Sequence, residues 1–484
     1  MLFNSFEFIL VFLPVVFLLH WLAGRGLRWQ NVLLVVASYV FYGWWDWRFL
    51  LLIALTSACS YGSGLLIGRS GERRARRFWC GANIILNLGI LAVFKYCNFF
   101  VENLQALLSA VGYRLDWGTL NVVLPVGISF YTFQALSYTI DVYRGKIAPT
   151  RDVVGFFAFI SFFPQLVAGP IERATNLLPQ FGRARKFDYD LAVDGCRQML
   201  WGFVKKLVVA DNCAAIVNAH WSGYESLSGV NLLVLGFFFT MQIYCDFSGY
   251  SDIAIGCARL FGINLMRNFD NPYFSRSVPE FWRRWHISLM TWLRDYVYIP
   301  LGGSRRSLAV TVRNTYVVWI VSGLWHGAAW TFVCWGLYHA TLLVFYRLLG
   351  LTSRHEHVAG HGRRLPSPRE GVQMALTFLL ALLGWVIFRA ESMAQAVGIF
   401  RRMALHPLDG SLLVDARRTA WALLASVLLL AVEWTRRERQ HALQFDPGTL
   451  LARSEPARLT LYAALIVLIV FTVGQVQTFI YFQF

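Results

Sequence analysis

Apolar stretches of about 18 to 25 residues recur along the whole 484-residue chain, each long enough to cross a hydrocarbon core of about 30 Å as a helix. The candidates are 6–23, 30–45, 50–67, 78–99, 120–140, 153–169, 232–244, 308–325, 331–349, 372–388, 420–432 and 460–480. Several are short or interrupted by Gly and Pro, so about eleven crossings are expected, give or take two. The chain is 57% hydrophobic and 16% aromatic, and its 15% charged residues contrast with about 25% in soluble domains. The expected fold is therefore all-α: a polytopic membrane protein with re-entrant or interfacial helices beside its spans.

The hydrophilic breaks fall at 69–77, 144–151, 173–190, 354–370 and 436–439, and none is long enough for a soluble domain. One continuous membrane domain over residues 1–484 is expected, with 394–402 and Arg417 as interfacial material. The first apolar run follows only Met1 to Glu7, with no basic leader and no small-residue cleavage pattern, so its retention is expected.

A net charge of +17 could suggest nucleic acid, but the basic residues concentrate in loops, as the positive-inside rule requires. Arg25 and Arg28 follow the first apolar run, and Arg69, Arg73, Arg74, Arg76 and Arg77 follow the third. The turn after the second holds only Asp46 and Arg48. That alternation puts the N-terminus outside (periplasmic) and the first basic loops in the cytoplasm. No nucleic-acid partner is expected.

The eight cysteines are scattered, without a CxxC pair, and Cys59, Cys213 and Cys334 sit within apolar runs, where a thiol packs as a small hydrophobe. His355, His357 and His361 could suggest a metal. Their segment continues into Arg363, Arg364, Pro366 and Pro368, which makes it a solvated loop, and no metal site is expected.

Ionisable groups inside apolar runs are more telling. His326 lies in Ser322-Gly323-Leu324-Trp325-His326-Gly327, where a charged side chain costs roughly 2.5 to 3.5 kcal/mol on insertion scales. Forty positions upstream (326 minus 286), His286 follows the arginines of Phe281-Trp282-Arg283-Arg284-Trp285-His286. Helical spacing puts Phe281, Trp285, Leu289, Trp292 and Tyr296 on one aromatic face of a single helix. Arg283 and Arg294, and likewise Arg284 and Asp295, are eleven apart on another face, with His286 near its edge. An interfacial amphipathic helix would account for the arginines but not for two histidines. The run Gln242 to Asp252 adds Asp246, Ser248 and Asp252 among apolar spans, and Pro164 and Pro170 break a helix twice. Broken helices at membrane depth line a cavity or are buried in protein. A proton-coupled transporter using His326 and Asp246 as a relay would show the same features.

The runs Leu124-Pro125-Val126-Gly127-Ile128-Ser129-Phe130, Asp246-Phe247-Ser248-Gly249-Tyr250-Ser251-Asp252, Phe281 to Ser288, Thr291-Trp292-Leu293-Arg294-Asp295-Tyr296 and Leu324-Trp325-His326-Gly327 resemble the membrane-bound O-acyltransferase family. The resemblance is narrower still to its bacterial branch that acetylates polysaccharides, such as alginate. It extends to about Arg347, and residues 348–484 say less.

That resemblance implies a curved wall of helices around a central tunnel open to both sides of a bacterial inner membrane. It implies His326 as the catalytic residue and His286 as a second active-site histidine, with acetyl-CoA from the cytoplasm as acyl donor and no bound cofactor. It further implies a periplasmic SGNH or serine-hydrolase-like acetyltransferase as partner, and a polysaccharide polymer or its synthase complex. A relative that transfers D-alanine to teichoic acid from a carrier-protein thioester is the alternative within the class.

The residues suit such chemistry independently. A neutral imidazole can take a hydroxyl proton near pH 7, worth about 10² to 10⁴-fold. Arg283, Arg284 and Arg294, at a cytoplasmic mouth, could grip the phosphates of the donor. Within the tunnel that the resemblance implies, Asp246, Ser248, Asp252, Asp295 and Trp325 are expected as polar or structural groups. With no Gly-x-Ser-x-Gly elbow in sight, a serine covalent mechanism within this chain is not expected.

Overall fold

The computed structural model describes residues 1–22, 26–113, 124–167, 169–352, 357–410, 415–472 and 477–480. Among them every regular element is a helix. Two compact units result: Met1–Val193 with Cys257–Met266, and Asp194–Gly256 with Arg267–Phe484.

Six helices among the described residues are long and apolar enough to cross a membrane: Arg48–Arg69, Arg73–Ala110, Gly229–Leu260, Pro368–Arg389, Ala416–Arg436 and Glu455–Thr472. The expected count of about eleven is not reached by this measure, for identifiable reasons. The run at 30–45 folds as Leu27–Gly43, only 17 residues. The run at 120–140, whose residues 120–123 lie outside the described ones, yields the 16-residue helix Ile128–Tyr143. Leu308–His326 and Trp330–Leu348 have 19 residues each but carry Arg313, Asn314, His339 and several hydroxyl side chains. Glu7–Leu22 and Val153–Leu166 are shorter apolar helices. Ala23, Ala168 and residues 473–476 of the expected spans, and Arg25 of the first basic loop, lie outside the described residues.

The first unit is stitched by buried amides. Asn83 Nδ2 donates to Ser60 Oγ (3.2 Å), and Thr139 Oγ1 donates to Asn83 Oδ1 (2.9 Å), so one side chain joins three helices. The segment broken by proline is buried as expected: Gln165 Nε2 donates to Gln134 Oε1 (3.0 Å) and Phe159 O (2.8 Å). Such bonds satisfy carbonyls that a helix break would otherwise strand in hydrocarbon.

The second unit holds every candidate site residue. Gly229–Leu260, at about 1.5 Å per residue, is ~48 Å long and exceeds the hydrocarbon thickness. In its most apolar window 72% of residues are buried, against 0% in Glu455–Thr472. The first is a core helix and can therefore carry Asp246, Ser248 and Asp252; the second leaves its apolar side chains exposed. A π-helical stretch, Val204–Ala210, continues Tyr189–Phe203 into Asp211–His220 and carries Lys205 and Lys206. Such π segments are frequent at functional sites.

Candidate active site

The site grows from a helix break that the periodicity did not reveal. Ser277 caps the helix Val278–Arg284 by accepting from Glu280 N (3.3 Å). The helix stops at Arg284, Trp285 is extended, and His286 takes the left-handed conformation (φ 45°, ψ 52°) before Ile287–Leu293 begins. The single amphipathic helix expected from Phe281 to Tyr296 is therefore two short helices followed by the π turn Arg294–Tyr298. Left-handed backbone is uncommon for a residue with a Cβ and persists where surroundings over-determine it. Here the segment around Asn268 does so: Ile287 N donates to Asn268 O (2.9 Å) and Asp270 N to Arg284 O (3.0 Å).

The break also scatters the arginines. Arg284 is buried, its Nη1 2.6 Å from Asp270 Oδ2 and its Nε 3.1 Å from Glu280 Oε1. Arg276 claims the same Glu280. Arg283 and Arg294 are exposed, and Arg294 Nε reaches Asp295 Oδ1 at 2.7 Å. The three arginines do not share one surface.

The break instead turns His286 inward, with 1% of its surface exposed. Its Nδ1 lies 3.1 Å from Asn268 Oδ1, and its ring meets Phe247 edge-on at 4.7 Å between centroids. The Trp325 ring stands 5.7 Å away.

His326 is the last residue of Leu308–His326 and is also buried. This helix packs closely on Trp330–Leu348 because glycines face the crossing. A Cβ on Gly323 would lie 2.3 Å from Phe332 O, and one on Gly336 would lie 2.2 Å from Trp319 O. Close backbone approach of this kind is how small residues bind helices in lipid. It sets His326 in an aromatic box, with ring centroids at 4.9 Å (Trp325), 5.0 Å (Trp335) and 5.2 Å (Phe388). The fully buried Trp335 Nε1–H finds no acceptor among the described residues.

Asp246, Ser248 and Asp252 are all buried on the core helix. Their partners include two residues not singled out from the sequence, the adjacent Lys205 and Lys206. Lys205 Nζ sits 3.0 Å from Asp252 Oδ2 and 2.9 Å from Glu433 Oε1, while Tyr244 OH donates to Glu433 Oε2 (2.8 Å). Lys206 Nζ lies 2.8 Å from both Asp211 Oδ1 and Asp246 Oδ1, and Ile480 N donates to Asp246 Oδ2 (2.7 Å). A lysine pair inside Val204-Lys205-Lys206-Leu207-Val208-Val209 was the available signal, of the same kind that marked His326. His339, likewise passed over, is buried and accepts at Nδ1 from Trp282 Nε1 (3.2 Å). Asn268 carried no signal at all.

In the loop where a metal was not expected, the His357 and His361 rings stack at 4.1 Å and His361 Nδ1 lies 3.0 Å from Glu438 Oε1. His355 lies outside the described residues.

Two buried imidazoles, His286 and His326, thus meet one indole, that of Trp325. Comparison with known proteins gives that arrangement a lineage. The chain is 42% identical over 404 residues to the Pseudomonas aeruginosa protein named "Probable alginate O-acetylase AlgI", covering 83% of this chain and 75% of that one. The chain belongs to the membrane-bound O-acyltransferase family. The family's sequence profile matches residues 150–374, a range holding Lys205, Lys206, Asn268, His286 and His326 but not Glu433. A Helicobacter pylori protein named peptidoglycan O-acetyltransferase is 33% identical over 432 residues (83% of this chain, 80% of that one). A Bacillus subtilis teichoic acid D-alanyltransferase is 29% identical over 284 residues, 56% of this chain and 70% of that one. As a member of this family the chain is a multi-pass membrane acyltransferase, and the transporter reading gives way to an enzyme.

Proposed function

We propose that this acyltransferase moves acetyl groups from cytoplasmic acetyl-CoA across the inner membrane for O-acetylation of a polysaccharide, an alginate- or cellulose-like exopolysaccharide or a cell-wall polymer. The observation that carries the proposal is the convergence of His286 and His326 on Trp325, inside a chain so similar to a protein named for alginate O-acetylation. His326 takes the proton of the attacking hydroxyl, in line with its position at a helix end in an aromatic box. His286 assists from the other contact of the same indole. The buried Trp335 Nε1–H, whose ring lies 5.0 Å from that of His326, receives the charge that develops on the thioester oxygen. The attacking hydroxyl is a serine of a periplasmic serine-hydrolase-like acetyltransferase: its oxygen bonds to the acetyl carbon, the carbon–sulfur bond breaks, CoA leaves as the thiol with the proton held by His326, and the acetylated serine delivers its group to the polymer. No cofactor or metal enters this scheme. Arg283 and Arg294 lie on the surface, where the phosphates of the donor can reach them, whereas Arg284 is buried between Glu280 and Asp270.

Donor specificity tests the reading. Purified protein in proteoliposomes, with the partner acetyltransferase and polymer outside, is given radiolabelled acetyl-CoA or D-alanyl carrier-protein thioester inside, with His326→Ala as blank. Consumption of acetyl-CoA alone is expected. Turnover of the carrier thioester in its place would move the chain to the D-alanyl class.

A further inference from the structure

We propose that Asn268 is a positioning residue that fixes the tautomer of His286, holding a proton on Nδ1 and leaving Nε2 as the unprotonated, substrate-facing nitrogen. The inference rests on the acyl-transfer role given to His286 above, but its decisive readout does not.

Hydrogen-bond logic assigns the protons. Asn268 is fully buried. The backbone N–H of Ser288, which can only donate, points at one terminal atom of the Asn268 side chain at 3.3 Å, so that atom is the amide oxygen. Ser288 Oγ donates to the same oxygen at 2.9 Å, and the amide nitrogen donates to Ser251 Oγ at 3.2 Å on the core helix. The side chain is thus oriented from both ends. His286 Nδ1 lies 3.1 Å from that oxygen and must donate to it. Ser288 Oγ, 3.4 Å from Nδ1, has given its own proton to Asn268 and offers Nδ1 only lone pairs. A neutral imidazole with its proton on Nδ1 carries a lone pair on Nε2. That atom is buried and has no partner among the described residues. Phe247 and Trp325 hold the ring against exchange of its two nitrogens.

His339 shows the opposite case in the same unit. Its Nδ1 faces Trp282 Nε1–H, which can only donate, so its proton sits on Nε2. Two buried histidines are thereby set in opposite tautomers by an amide oxygen and an indole. An amide serves where a carboxylate would add charge: it fixes the proton without placing a further ion in a low-dielectric site. The ring itself meets Phe247, Phe269 and Trp325. Ionised groups reach toward it through Asn268 and Ser251, which share a cavity with Lys205, Asp252, Glu433 and Arg267.

The test combines spectroscopy and kinetics on the full chain in detergent. Protein labelled with ¹⁵N-histidine is examined by multiple-bond ¹H–¹⁵N correlation, with His286→Ala and His339→Ala assigning the two signals. Wild type is expected to show Nδ1–H at His286 and Nε2–H at His339, and Asn268→Leu is expected to lose the first pattern while keeping the second. In the same variant kcat for acetyl transfer should fall about 10- to 100-fold, with KM for acetyl-CoA within about twofold. Asn268→Asp restores an acceptor and adds a charge that favours imidazolium, so it should recover turnover and move the acid limb of the pH–kcat profile upward. An Nε2–H signal at His286 in the wild type overturns the proposal whatever the activity. So does wild-type kcat in Asn268→Leu when His286→Ala is inactive. Should Asn268→Leu fail to accumulate, an unshifted profile in Asn268→Asp overturns it equally. If instead His286→Ala acetylates normally, the role given to His286 falls while the tautomer result stands by itself.

Discussion

Trp325 and His286 meet with ring centroids 5.7 Å apart at 60°, and Trp325 is the chain neighbour of His326, whose ring it meets at 4.9 Å. One indole thus spaces both imidazoles. The helix crossing that fixes Trp325 also fixes His326, whereas His286 arrives from a separate helix break.

Removing His326 should therefore remove the base without dismantling its surroundings. His326→Ala is expected to lower acetyl transfer at least about 10² to 10⁴-fold, with normal membrane abundance. His286→Ala should cost as much or less. Polymer acetylation at the wild-type level by His326→Ala protein would end the assignment of His326 as base.

The glycine crossing makes a second prediction. Gly323→Ala places a Cβ 2.3 Å from a backbone oxygen, which must move the two helices apart and His326 with them. A displacement of about 1 Å far from the chemistry can cost about 10²-fold. Gly323→Ala and Gly336→Ala should each lower turnover by at least about tenfold and reduce thermal stability. Gly81→Ala, where an added Cβ meets nothing within 4 Å, is the control and should leave both unchanged. Full activity in the two crossing variants would mean that the crossing does not set the site.

The paired lysines carry a third. Lys206→Met would leave Asp211 and Asp246 buried without the cation that lies 2.8 Å from each. Breaking a buried pair from one side costs about 3 to 5 kcal/mol. Asp246→Asn leaves Lys206 still paired to Asp211 and should cost less. A combined Lys206→Met, Asp211→Asn, Asp246→Asn variant should be more stable than Lys206→Met alone, read as melting temperature in detergent. Strictly additive losses would show that the three groups do not act as one network.

The two histidines and the carboxylates of the core helix were legible because an ionisable side chain in an apolar run stands out against the cost of placing it there. By the same rule Lys205, Lys206 and His339 were visible and passed over. The break at His286 was not legible. Residues Phe281 to Tyr296 keep a helical period across it, and what stops the helix is a set of bonds from Asn268 and Asp270, distant in pattern though near in chain. Asn268 itself sits in a stretch with no periodicity to violate. The number of spans is not settled by hydropathy, which does not separate an exposed apolar helix such as Glu455–Thr472 from a short apolar helix such as Val153–Leu166 that is largely buried.

Topology is a fourth prediction. The basic residues Arg69, Arg73, Arg74, Arg76 and Arg77 should face the cytoplasm, because basic loops near the first spans set orientation. A cysteine at Ser70, in a background cleared of the native thiols, should resist a membrane-impermeant maleimide in intact cells and react after permeabilisation. Labelling from outside would invert the arrangement, and with it the side from which acetyl-CoA enters.

The last prediction concerns where the acetyl group goes. The described residues outside the helices form only short connections, none of the size needed to hold a polysaccharide chain. The histidines are buried, with 1% and 6% of their surface exposed, so a bulky polymer would have to be threaded to them while a single serine side chain would not. A periplasmic acetyltransferase that docks, loads its serine and leaves meets this constraint, and its contact should be modest in area because each turnover must undo it. Proteoliposomes with acetyl-CoA inside and polymer outside are expected to acetylate the polymer only when the partner is added. Addition of the partner with its nucleophilic serine replaced by alanine should leave the polymer unmodified. Efficient acetylation by this chain alone would show that the polymer reaches His326 directly, and the relay would have to be abandoned.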